Sequence, residues 1–183
     1  MLFENDSVKV MRALEKAHLK GGFHEHKPNR VMVYLQNGRQ RFEYQNGRTP
    51  AVFDWKAGQV VWSPAEGMHS PEVIGNEPFN IIEVELKKPG AKTAPFGPHD
   101  PVRADPQHFK VEFDNDQVRV LRMTLGPHES TPLVTWSLNQ VEIFLTGNDA
   151  HKPGEAIWVA PGMRKEVNVG ANPLEAILVQ AKG

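Results

Sequence analysis

The chain has 183 residues, 39% of them hydrophobic, and a formal net charge of −1. That is enough apolar material for one large core or two small ones, while the lack of any Lys/Arg block makes nucleic acid an unexpected partner. The absence of cysteine excludes disulfides and thiolate zinc sites. No apolar run reaches transmembrane length and no basic-then-apolar leader opens the chain, so a soluble, cytoplasmic protein with no membrane partner is expected.

In chain order, short β-branched or aromatic segments recur at Val8 and Val10, at 31–35, at 60–62 and at 81–86. Turn signals separate them: Asn37-Gly38, Asn46-Gly47, Gly67, Gly75-Asn76 and Pro89-Gly90. Residues 12–20 are the one stretch with helical character, but they meet no stop signal before Gly21-Gly22, and a strand followed by a loop is expected there. Many short strands at this spacing predict an all-β chain of sandwich or barrel type. Residues 87–107 carry Pro89, Pro95, Pro98, Pro101 and Pro106, a density that predicts a linker without regular structure, packed along the first domain.

An internal repeat organises the rest. Phe3-Glu4-Asn5-Asp6 matches Phe113-Asp114-Asn115-Asp116, an offset of 110 residues. Later anchors keep their order: Gly22-Phe23-His24-Glu25 with Gly126-Pro127-His128-Glu129, residues 31–35 with 141–145, and Gly58 and Trp62 with Gly154 and Trp158. The pattern predicts a tandem duplication. The second copy has a strand-like lead-in at 108–112 that the first lacks, which predicts an incomplete edge on the first domain, covered by the linker or by a partner subunit.

His24 and His26 are two residues apart, so in a strand both project from one face. Two imidazoles side by side suit a metal ion, although a pair of exposed histidines also arises by chance. A third, His69, lies in a second segment with its own turn residues. Glu25, between the pair, is expected to point the other way.

Residues 22–38 followed by 58–73 resemble the two signature motifs of the cupins, and the duplication resembles a bicupin over nearly the whole chain. His24, His26 and Gly38 match the first motif, with Val31 standing where the family has a glutamate; Gly58, Pro64 and His69 match the second. The resemblance implies two tandem jelly-roll β-barrels related by a pseudo-two-fold axis. Residues 1–88 form the barrel with a three-histidine metal site (His24, His26, His69), 89–107 the linker, and 108–183 a barrel with a degenerate site. In that second barrel the resemblance leaves His128, Gln140 and Arg164 as a vestigial set, with a structural role or, alternatively, a small-anion site. Cupins commonly pair sheets between subunits, which implies a homodimer, while the sequence leaves monomer and dimer open.

Three neutral imidazoles suit a divalent metal (Fe, Zn, Ni or Mn) and leave positions open for water or a small-molecule ligand. Without the carboxylate the site is more positive, which favours an anionic molecule. Val31, Val33 and Leu35 are expected to line an apolar substrate pocket, with Arg30 and Tyr34 either at its mouth or outside. No general base is evident; Glu66 and Glu72 lie near His69 in sequence, but Glu66 reads as an exposed turn residue. The tryptophans, His18, His99, His108 and His151 read as packing or solvated residues. Two functional classes follow: a metal-dependent, dioxygenase-like enzyme, or a non-catalytic bicupin that binds a small ligand.

Overall fold

The short β-branched segments form antiparallel strands throughout. The computed structural model describes residues 1–45 and 47–183, so Asn46 of the expected Asn46-Gly47 turn lies outside the described residues. In chain order the elements are β1 (Phe3–Glu4), β2 (Val8–Glu15), β3 (His24–His26), β4 (Arg30–Tyr34), β5 (Gly38–Tyr44), β6 (Ala51–Trp55), β7 (Val60–Ser63), β8 (Glu66–Val73) and β9 (Phe79–Leu86). They continue with α1 (Pro101–Ala104), β10 (Phe109–Asp114), β11 (Val118–Leu125), β12 (Val134–Trp136), β13 (Gln140–Phe144), β14 (Ala156–Val159), β15 (Gly162–Arg164) and β16 (Leu174–Ala181). The chain is all-β apart from α1, and residues 12–20 are strand then loop, as the sequence predicts. No helix among the described residues is long and apolar enough to cross a membrane.

The chain divides into two compact units, Met1–Lys87 and Lys88–Gly183. In the first, one sheet runs β1-β2-β9-β4-β7 and a second runs β3-β8-β5-β6. In the second unit one sheet runs β10-β11-β16-β13-β14, the same order, and β12 pairs β15. The units differ in one large feature. Among the described residues the second has no strand pair matching the β5–β6 hairpin, and its interior is closed by Phe109 against Trp136, edge to face at 5.5 Å. The first unit keeps the hairpin and a smaller apolar cluster around Tyr34, Val73, Phe79 and Ile81.

Two turns explain their glycines. Gly58 and Gly154 sit at φ 77° and 76°, the left-handed region that an L side chain rarely adopts. Gly38, where β5 begins, is needed for space: a Cβ there would lie 2.4 Å from the Phe79 ring.

Residues 88–107 depart from expectation. They belong to the second unit, not the first, and they hold a helical turn. Asp100 caps α1 by accepting from Val102 N at 3.2 Å, and Pro101 sits at the first helical position, where its missing N–H costs nothing. The same carboxylate takes two hydrogen bonds from buried Arg119, at 2.6 and 2.9 Å, and that guanidinium lies 4.0 Å over the Phe96 ring. The first unit's edge is short, as expected: β1 pairs β2 only through Phe3–Val10 and Glu4–Lys9, whereas β10 pairs β11 from Phe109 to Asp114.

Asp100→Ala should cost about 3–5 kcal/mol, because it leaves Arg119 buried without its counter-charge. Gly38→Ala should cost about 1–3 kcal/mol through overpacking against Phe79. Urea unfolding measures both, with Gly97→Ala, where an added Cβ meets nothing within 4 Å, as the neutral control.

Candidate metal centre

His24 and His26 occupy the short strand β3, which pairs with β8 so that His24 stands opposite His69. The register shifts between His24 and His26, with one extra residue on β8. The three rings converge, with centroids 4.8 Å apart for His24–His26, 4.8 Å for His24–His69 and 5.5 Å for His26–His69. Their ligand atoms all lie within 4.8 Å of one another, a group that can hold a metal ion. Nitrogens sharing one ion at about 2.1 Å lie about 3–4 Å apart, within reach of small ring rotations. Glu25 is exposed and points away, as expected from alternation.

Two backbone carbonyls fix the tautomers. His24 Nδ1 is 2.9 Å from Gly22 O, and His69 Nδ1 is 3.1 Å from Gly67 O. A carbonyl oxygen only accepts, so each Nδ1 carries the proton and each Nε2 keeps a lone pair for a metal. Two of the rings, His26 and His69, are also held toward the neutral form. Burial first, then the positive charges of Arg30 and of the other two histidines, push the His26 pKa down to about 3. Burial likewise lowers His69, against the Gly67 hydrogen bond. Neutral imidazole is the form that ligates, so the donor set fits a divalent metal.

The rings open onto a cavity of about 250 Å³. Its lining corrects the expected pocket. Arg30, Met32 and Tyr34 line it, while Val31 and Val33 are fully buried on the opposite face of β4 and Leu35 lies outside. Alternation along the strand puts Arg30, Met32 and Tyr34 on the cavity face and Val31 and Val33 on the other. Arg30 is buried and held by Glu83 at 2.7 Å and Ser63 Oγ at 3.1 Å. Tyr34 of this sheet stacks on Trp55 of the facing sheet, and Trp55 on Phe53, with centroids 4.3 and 5.1 Å apart. Trp55 therefore lines the cavity instead of serving packing alone, and Glu66 opens β8, lines the cavity and bonds Arg48.

The sequence reading missed Glu15, Gln40 and Trp55. Glu15 ends β2 facing the cavity, Gln40 is buried in β5, and Trp55 closes β6. Gln40 Nε2 donates to Glu15 at 2.8 Å and Gln40 Oε1 accepts from Trp55 Nε1 at 2.9 Å. Burial raises the Glu15 pKa, opposed by the Gln40 hydrogen bond and reinforced by the Glu83 charge. Met11, Ala13 and Glu15 alternate onto the face of β2 that pairs with the cavity-lining side of β9, at Glu83, Ile81 and Phe79.

Of the vestigial set of the second unit, Arg164 and Gln140 meet through Glu142, and His128 belongs elsewhere. Val134 stands opposite Arg164 as His24 stands opposite His69, so Val134 and Trp136 occupy the places of the two β3 histidines. His128 instead matches His18: both sit at positive φ, 58° and 59°, at the 110-residue offset. The short Gly-x-His-Glu likeness of 22–25 to 126–129 departs from that offset. Arg164 does occupy the place of His69, but it bonds Glu142 and Glu166, each at 2.8 Å, and lies 4.7 Å over the Trp136 ring. Buried Gln140 joins this network through Glu142 and Gln180. Two carboxylates on one guanidinium leave no surplus positive charge for an anion, and burial with the Glu142 charge raises Glu166. Elsewhere, His99 is exposed as expected, whereas His108 pairs with Asp105 at 2.7 Å and His151 stacks on Phe144 at 3.8 Å.

No family model matches this sequence, and no curated protein matches it. Among solved structures it is similar to AerE from Microcystis aeruginosa, with a TM-score of 0.73 and 11% identity over 97% of this chain and 88% of that one. It is also similar to oxalate decarboxylase from Bacillus subtilis, with a TM-score of 0.67 and 14% identity over 97% and 69% of the two chains. A cupin domain from Bordetella pertussis tohama I aligns over 47% of the chain at 22% identity, with a TM-score of 0.43. The likeness to AerE and to oxalate decarboxylase shows that this chain shares their fold.

The depressed imidazoles predict acid sensitivity of the metal-free protein. His26 takes a proton near pH 6.5 when unfolded but only near pH 3 when folded, so stability falls as pH drops through that window. Chemical unfolding from pH 7 to 4 should show this slope, and His26→Gln should flatten it.

Proposed function

We propose that the chain is a bicupin whose first barrel, 1–88, binds a divalent metal through Nε2 of His24, His26 and His69, and whose second barrel, 108–183, is unmetallated and structural. The reading rests on one observation above all: three imidazoles, two with tautomers preset by carbonyls, converging on a cavity. The molecule it acts on is a small anion. With a dication on three neutral ligands the centre is positive, and Arg30 is already neutralised by Glu83, so a guest carboxylate completes the charge balance. The aromatic wall of Tyr34, Trp55 and Phe53 encloses the guest's apolar part and excludes water. When bound, the metal supplies Lewis-acid activation of the chelated anion and, if redox-active, the electrons for dioxygenase-like chemistry. The Mn(II) centres of Bacillus subtilis oxalate decarboxylase support a metal role for this fold.

Elemental analysis of untagged protein after metal loading tests the reading. The wild type should retain one metal per chain, and His69→Ala should bind roughly tenfold or more weakly, since even partners outside the ligand set cost about 10–100-fold. Full retention by His69→Ala, or no retention by the wild type, would refute the site.

A further inference from the structure

The metal reading leaves the cavity without a group that moves protons, and Glu15 fills that gap. We propose that Glu15 is the acid–base group of the cavity, exchanging a proton with the bound anion through Oε1. The inference rests on the metal reading for the identity of its guest, but its geometry stands on other residues.

The chain of hydrogen bonds allows one arrangement. An indole N–H can only donate, so the Gln40 atom facing Trp55 is the amide oxygen. The amide NH₂ must then face Glu15, and the carboxyl oxygen it meets, Oε2, must accept. The carbonyl oxygen of a carboxylic acid is its stronger acceptor, so a proton on this carboxyl is favoured on Oε1. Gln40 is only 2% exposed, so water does not compete for either end of its amide. Burial, reinforced by the Glu83 charge, outweighs the Gln40 hydrogen bond and the weaker pull of His24, and holds the carboxyl above the usual carboxylate range.

In the acid direction the Oε1–H bond breaks, a new O–H or C–H bond forms on the bound anion, and the remaining carboxylate keeps its hydrogen bond from Gln40. In the base direction Oε1 takes a proton from the anion, and the carboxylic acid returns it to the product or to water at the cavity mouth. No oxidant or reductant enters either step. The class of guest is thereby narrowed to anions with a basic or acidic centre next to the metal-binding carboxylate.

The test is calorimetric titration of the metal-loaded protein with oxalate as probe, in buffers of different ionisation heat, across about pH 5 to 9. An anion placed beside Glu15 raises its pKa further, so the wild type should take up as much as about one proton per oxalate bound over part of this range. Glu15→Gln, isosteric and able to accept from Gln40, should lose that uptake while keeping the wild-type metal content. Trp55→Phe keeps a ring in the stack but drops the N–H that orients Gln40, and should shift the pH at which uptake is centred. This variant carries the test if Glu15→Gln fails to fold. Equal proton uptake in wild type and Glu15→Gln would overturn the proposal, as would an uptake centre that Trp55→Phe leaves unmoved. Loss of metal from folded Glu15→Gln would overturn it too, by making Glu15 a ligand. Metal missing from the wild type itself would instead refute the metal reading, so the two failures are separable.

Discussion

Two backbone carbonyls govern the chemistry of this molecule. Gly22 O and Gly67 O each accept from an imidazole Nδ1, and so turn the Nε2 lone pairs of His24 and His69 toward a common point. Without them either ring is free to present N–H instead of a lone pair, and three histidines in one place become ordinary polar packing. Burial and the nearby Arg30 guanidinium act in the same sense on His26, by disfavouring its protonated form. Arg30 is itself kept in place by Glu83, a buried ion pair whose two members both face the cavity.

The two units show how one strand order supports opposite interiors. Phe109, at the start of β10, packs edge to face on Trp136, and Trp136 stands where His26 stands in the first unit. A bulky ring in that place, with Arg164 tied to two carboxylates beside it, fills the interior. In the first unit the β5–β6 hairpin adds Phe53 and Trp55 as a wall instead of a plug, and the space between wall and imidazoles stays open. The cavity thus follows from the added β5–β6 hairpin and from where the aromatic residues fall along the strands, on a main sheet of the same order in both units.

Much of the fold and part of the site were legible in the sequence. The strands could be read from β-branched runs between turn residues, and the His24/His26/His69 trio from the two-residue period of a strand joined to motif spacing. The pocket wall was not, because Val31 and Val33 look like interior residues and are, but on the wrong face of β4: the apolar valines occupy one parity and the cavity takes Arg30, Met32 and Tyr34. Glu15 escaped because it becomes a cavity residue only through pairing of β2 with the distant β9, where it stands opposite Phe79. His128 misled through a local Gly-x-His-Glu likeness that overrode a constant 110-residue offset. In the 87–107 stretch the prolines hid a real start signal, Asp100-Pro101, whose carboxylate caps the helix and neutralises Arg119.

The central claim is that three imidazole nitrogens of one chain bind one ion. X-ray absorption at the edge of a loaded metal counts those nitrogens directly, because imidazole rings give a characteristic outer-shell scattering that water and carboxylate lack. Three imidazoles with the balance made up by oxygen are predicted. A shell dominated by oxygen, with one imidazole or none, would contradict the account and leave the converging histidines without a metal to hold.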